Sequence, residues 1–189
     1  MTNSPDPRVN AVLSFWFGPN PESARPQWFK TDASFDRAIT QLFGADHDQA
    51  RAGKLAAWEN SAPSALALTI VLDQFARNMF RGTARAFESD AQALKVAETA
   101  VARGYDQQVS RVQRMFFYLP FEHSEAMADQ ERSLALMGAL GDARAADYAD
   151  QHAAIIRRFG RFPHRNAVLG RQSTPDEIAY LKATPPSFG

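Results

Sequence analysis

The sequence predicts an all-α protein of stacked antiparallel helical hairpins, with about eight or nine helices and no sheet. Three observations lead there. Apolar residues recur at helical spacing along most of the chain, while no convincing strand and no Asn-Gly or Asp-Gly hairpin signal is present. Gly and Pro punctuate the pattern at intervals that leave mostly short connections, so sequential helices should pack antiparallel. The 189 residues, 45% hydrophobic with 14 Phe and 3 Trp, are enough for one packed domain spanning 1–189.

Arg8 to Phe17 reads as the first helix, stopped by Gly18 with Pro19 and Pro21 behind it. A loop runs to about Phe29. Asp32 or Ser34 caps a second helix that reaches about Ala52 and ends at Gly53. The third starts near Pro63, a residue suited to a first helical turn, and reaches about Phe80 before Gly82. The fourth covers roughly Phe87 to Arg103, with Gly104 as its stop. The fifth spans about Gln108 to Leu119. A break is expected at Pro120, which lacks an N–H and disfavours helix in the residue before it.

The sixth helix runs from about His123 to Leu140 and the seventh from about Ala143 to Phe159, with Gly141 and Gly160 as stops. A short helical turn over His164 to Leu169 follows. The last helix begins at a capping box, Thr174 to Glu177, with Pro175 at the first helical position. The tail from Thr184 to Gly189 is expected to be loosely held. No strict repeat near 34 residues is present.

Charge and composition exclude several functions. Lys plus Arg equals Asp plus Glu, 21 each, so the basic excess that nucleic acid or an anionic membrane needs is missing. Arg supplies 17 of those 21 basic residues, a bias suited to planar, paired contacts. The absence of Cys removes disulfides, thiol nucleophiles and thiolate metal sites. The N-terminus, MTNSPDPR, lacks the cationic and apolar regions of a secretory signal. The longest strongly apolar run, Ala65 to Leu72, is too short to span a bilayer, and a soluble cytoplasmic protein is expected.

The third helix carries Leu66, Leu68, Ile70, Val71, Leu72, Phe75, Met79 and Phe80, and so reads as central and buried. Yet Asp73, Arg77 and Arg81 fall on one line at i, i+4 and i+8. A charge on a buried helix must be paired, since removing one partner costs roughly 3–5 kcal/mol. This run, LDQFARNMFRG, is the first of three polar clusters and includes Asn78. The second is FYLPFEHSE, with Glu122, His123 and Glu125. The third, FGRFPHRNAVLGRQST, carries Arg161, His164, Arg165, Asn166 and Arg171, and no acid lies between Gln151 and Thr174. His152 precedes it by one or two turns.

At these residues the chain resembles the family catalogued as domain of unknown function 924. The likeness runs through FWFG (Phe15 to Gly18), the Trp28-Phe29 pair, LDQF-RN-FRG, YLP-HSE and FGRFPHRN-LGR-ST, and covers nearly the whole chain. It implies an all-α fold similar to tetratricopeptide-type hairpins and no particular activity.

Two readings of the clusters stand side by side. In one, the third cluster's Arg side chains neutralise Asp73, Glu122 and Glu125 and tie the last helices to the centre. In the other, Asp73, Arg77, Asn78, Arg81, Glu122, Glu125, His152, Arg161, Arg165, Asn166 and Arg171 line a pocket for a small anionic ligand. Arg77, Arg161, Arg165 and Arg171 would then grip a carboxylate or phosphate. His123 and His164 are the candidates for proton transfer if the protein is an enzyme, though acids around His123 also suit a helix start.

His123, His152, His164 and Glu125 would hold a metal only by convergence of three segments, and no HExxH or Glu-x-x-His spacing is present. There is no Walker A or G-x-G-x-x-G run and no G-x-S-x-G, so no metal or cofactor is expected. The aromatic runs Phe15 to Phe17, Trp28-Phe29 and Phe116 to Tyr118 read as core anchors, or alternatively as the lining of a groove for a peptide.

Overall fold

The computed structural model describes residues 6–28 and 30–183, so the readings made for Phe29 and for the tail from residue 184 fall outside it. Among the described residues the protein is all-α, with eight helices and no strand. They are α1 (Pro7–Phe17), α2 (Ala33–Arg51), the composite α3 (62–79), α4 (Asp90–Ala102), α5 (Arg111–Glu122), α6 (Met127–Ala139), α7 (Ala143–Phe159) and α8 (Pro175–Ala183).

Local chemistry sets these ends. Asp32 caps α2 by accepting from the backbone N–H groups of Ser34 and Phe35. Ser110 and Gln113 form a reciprocal capping box at α5, and Thr174 and Glu177 form another at α8. Gly160 ends α7 in the left-handed region at φ 68°, where a side chain would be strained.

Helix α3 is the hub and packs against α1, α2, α4 and α5. Helices α4 to α7 then pack each on the next in chain order, as short connections require. Around α3 lies an aromatic core. Trp16, Phe17, Phe75, Phe116 and Phe117 are all but inaccessible. Trp16 meets Phe116 edge-on at 5.6 Å, and Phe15 stacks on Phe35 at 5.1 Å. Each such pair adds about 0.5–1.5 kcal/mol beyond its buried area. Arg25 fastens the end of α1 by donating to the Phe15 and Trp16 carbonyls, both at 2.6 Å. The aromatic runs, within the described residues, are therefore core. Among the described residues, the large hydrophobics left exposed are Leu42, Leu169 and Ile178.

Three elements differ from the sequence expectation. Helix α3 is α-helical over Ala62–Ile70, opens into a π-helical turn at Val71–Phe75 and closes again over Ala76–Met79. The wide turn is held by side chains, with Ser89 Oγ donating to the Leu72 carbonyl at 2.6 Å and Arg77 Nη1 to the Asp73 carbonyl at 3.0 Å. Helix α5 passes through Pro120 and ends at Glu122. Pro120 is followed by only two helical residues, so the hydrogen bond its missing N–H removes and the crowding of its ring against the preceding turn fall where the helix is about to stop. Helix α6 starts at Met127 and not near His123, because Ser124 turns the chain: its hydroxyl donates to Asp129 at 2.6 Å and accepts from Ala126 N–H.

Candidate functional site

The π-turn carries Asp73, which is buried to 1% exposure and yet charged. Its carboxylate meets Arg77 Nη1 at 3.0 Å, His123 Nδ1 at 2.7 Å and Gln74 Nε2 at 2.6 Å. Burial opposes that charge, but Arg77 and then His123 outweigh it and hold the carboxyl well below the usual carboxylate range. Arg77 continues to Asp90, at the start of α4, with both carboxylate oxygens engaged at 2.8 and 3.1 Å.

His123 and Glu122 sit at the C-terminal end of α5. Gln130 of α6, fully buried, fixes that end by donating to the Glu122 and Ser124 carbonyls at 2.8 and 2.6 Å. An ionised Asp73 can only accept, so His123 Nδ1 bears the proton and Nε2 keeps its lone pair. Burial, then Arg77, lowers the His123 pKa, so the ring is neutral at pH 7. Glu122 is 4% exposed, and its Oε2 has no hydrogen-bond partner. Burial and then Asp73 push its pKa up to about 8, so it holds a proton at neutral pH. Its Oε1 lies 3.3 Å from His152 Nδ1, which also donates to the Tyr148 carbonyl at 2.8 Å. Burial drives the His152 pKa down to about 3.

The third cluster divides in two. The 3-10 turn Pro163–Arg165 directs His164 and Arg165 toward these groups. The Arg165 guanidinium lies 4.4 Å from the Phe162 ring centre and 4.7 Å from that of Phe87. Its ion-pair contact is Asp90 at 3.5 Å, and its Nε has no partner. Burial, then the like charge of Arg77, lowers its pKa to about 10, so it stays charged at pH 7. Burial and then Arg165 bring His164 to about 4.

Arg161 and Arg171, in contrast, are engaged by acids. Arg161 grips both oxygens of Glu177 at 2.6 and 2.8 Å, and Arg171 both oxygens of Glu125 at 2.6 and 3.0 Å. Glu125 also accepts from Phe162 N–H at 2.8 Å, and Asn166 Nδ2 reaches Glu177 at 3.2 Å. These contacts pin the irregular segment and α8 to the body.

A cavity of about 420 Å³ opens where the clusters meet. Of the expected residues, Arg77, Asn78, Arg81, Glu122, His123, His152, His164 and Arg165 line it. Asp73 stands behind its wall. Arg161, Arg171, Glu125 and Asn166 do not line it, because their side chains are turned to one another and to Glu177. Six lining side chains are basic (Lys30, Arg77, Arg81, Arg111, Arg144 and Arg165) and two are acidic, Glu122 and Asp142. Asn78 Nδ2 and Arg81 Nε both reach Asp36, at 2.7 and 3.1 Å. Phe87, Met115, Leu119, Met137 and Leu140 supply an apolar wall. No grouping of three or more metal-ligating side chains occurs among the described residues. None of their helices is long and apolar enough to cross a membrane.

Asp90 and Asp36 were not read from the sequence. Each is a lone acid in the first turn of a helix, where acids are common. Nothing at either position marks a partner on α3.

A family model described as a bacterial protein of unknown function, DUF924, matches residues 12–185. No curated protein matches the chain. A solved structure of a protein of unknown function from Agrobacterium tumefaciens is 41% identical, covers 94% of this chain and 98% of its own, and superposes with a TM-score of 0.87. The match across nearly the whole length, with the fold it shares, places this chain in the DUF924 family.

Proposed function

We propose that the cavity binds a small anionic ligand, a carboxylate or a phosphate, with Arg165 and Arg77 as its contacts. Arg165 carries this reading. It is a buried cation at the cavity wall, held flat by two aromatic rings, and its nearest carboxylate is already engaged on both oxygens by Arg77. A planar guanidinium so placed has donors to spare for a planar anion. The excess of basic groups around the lining favours the same charge of ligand, and about 420 Å³ falls within the range of small-molecule sites. A peptide-binding scaffold has less to rest on, since the aromatics that would line its groove are in the core.

The test is thermal unfolding with phosphate and with a series of small carboxylates, on the wild type and on Arg165→Ala. A ligand present at about 100 times its Kd stabilises by about 2.7 kcal/mol. The wild type should gain melting temperature with at least one anion, and Arg165→Ala should fold normally and lose that gain. An Arg165→Ala protein that fails to fold would show Arg165 to be structural.

A further inference from the structure

The cavity holds more acid–base equipment than binding an anion requires. Asp73 fixes His123 through Nδ1, and Nε2 makes no hydrogen bond among the described residues. Glu122 presents a buried oxygen without a partner on the same wall. The His123 and His152 rings are 6.4 Å apart, and Glu122 leans on His152, so base and acid flank one small volume. Arg77, which meets the same Asp73 oxygen as His123, lines this cavity with Arg165 and an apolar wall.

We infer that this is an enolisation site for 2-oxo carboxylates with an apolar tail, in which His123 is the base, Glu122 the acid and Asp73 a positioning residue. This rests on the anion-binding reading, because Arg165 and Arg77 must hold the carboxylate. His123 Nε2 removes a proton from the carbon beside the carbonyl. The C–H electron pair becomes the new C=C bond, and the carbonyl oxygen takes the proton of Glu122 as its π pair moves onto it. Returning both protons regenerates the 2-oxo acid and resets the side chains, so no other reactant is consumed.

The substrate class follows from the lining. A carboxylate answers the guanidinium groups, a neighbouring carbonyl answers the carboxylic acid, and a C–H on the next carbon answers the imidazole. Met115, Leu119, Met137 and Leu140 leave room for several further apolar carbons. The protonation states at pH 7 agree, with Glu122 loaded and His123 empty.

The experiment is proton NMR of 2-oxohexanoate and pyruvate in D2O, following loss of the C3 hydrogen signal with and without protein. Melting curves with the same compounds are measured in parallel. Wild type should accelerate deuteration of 2-oxohexanoate more than that of pyruvate. Glu122→Gln and His123→Asn should each slow it by about 100-fold or more while keeping the ligand-induced melting shift. Asp73→Asn should slow it and displace its pH profile, a change that a purely structural role would not produce.

If 2-oxohexanoate stabilises wild type but not Arg165→Ala, and deuteration stays at the buffer rate, enolisation is overturned and anion binding stands. If phosphate stabilises and 2-oxohexanoate does not, the inference is equally overturned. If no anion stabilises, both readings fall. Should His123→Asn not fold, the near-isosteric Glu122→Gln decides alone, and exchange at the wild-type rate in that variant overturns the inference.

Discussion

One basic stretch of sequence, 159–174, is divided by the fold between two tasks. Arg161 and Arg171 meet Glu177 and Glu125 through both carboxylate oxygens, as fasteners between the irregular segment and the rest of the protein. His164 and Arg165, between them in sequence, turn the other way and reach the cavity. Each fastener holds both oxygens of one carboxylate. Arg165 has a long contact to a carboxylate that Arg77 already holds. The difference teaches that sequence spacing does not assign a cation its role; the acid waiting for it does. It also predicts opposite failures. Removing a fastener should cost stability and leave ligand response intact, while changing the cavity should do the reverse.

The largest effect is expected for Arg171→Ala. It strips a partly buried Glu125 of its guanidinium and loosens Phe162, so stability should fall by about 1–3 kcal/mol. In a chain of this size each kcal/mol lowers the melting temperature by roughly 2–4 °C. The anion-induced shift should survive. A melting curve unchanged from wild type would erase the distinction between the two halves.

Acid and base should separate the regions next. Hydrogen bonding to Arg171 and the Phe162 N–H, against the cost of burial, depresses Glu125, and the bond to Arg161 depresses Glu177 to about 2. Their contribution is complete above the ordinary Glu pKa and is lost as pH falls below it. His152 and His164, lowered to about 3 and about 4, take their stability away as pH drops from the ordinary His value. Glu122 acts with the opposite sign. Its raised pKa, about 8, means that the folded state holds a proton the unfolded chain has released, so stability declines from the ordinary Glu value up to about pH 8. Above about pH 6.5 the His terms have ended and this decline stands alone, at no more than about 1.4 kcal/mol per pH unit. Glu122→Gln should flatten the melting temperature between pH 6.5 and 8 and steepen its fall on the acid side between the ordinary His and Glu values, where the Glu122 slope had offset the His terms. A slope that persists in the variant would show that Glu122 is not its source.

The smallest effect sharpens the comparison. Asp90→Asn withdraws the carboxylate that Arg77 and Arg165 share. Both should turn more fully to a ligand, raising anion affinity by up to about tenfold, or 1.4 kcal/mol, as titration calorimetry would read. Weaker binding would mean that Asp90 orients the Arg pair and does not compete with the ligand.

The parts of the molecule that were legible in sequence are those set by neighbours in the chain. Asp32, Gly160 and the Thr174–Glu177 box mark helix ends because capping is a matter of a few residues. The charged line on α3 announced a buried ion pair, and the three clusters do meet at one cavity. What stayed hidden depends on distant contacts. The π-turn was invisible because its carbonyls are satisfied by Ser89 and Arg77, one of them on another segment. The helix through Pro120 was missed because only two helical residues follow it, so the disruption from its ring and missing N–H falls where the helix ends in any case. The split of the Arg residues was missed because Asp90 and Glu177 are ordinary first-turn acids until their partners arrive.

The π-turn also constrains how this chain can change. It is equivalent to one residue inserted into an α-helix, and each residue of an α-helix advances it by about 100°. Deleting a single position within 71–75 would give a more regular helix. It would also rotate everything beyond, swinging Arg77, Asn78 and Arg81 away from Asp73, His123 and the cavity as a group. Length variation in this family should therefore fall in the loops, with the phase of α3 left untouched.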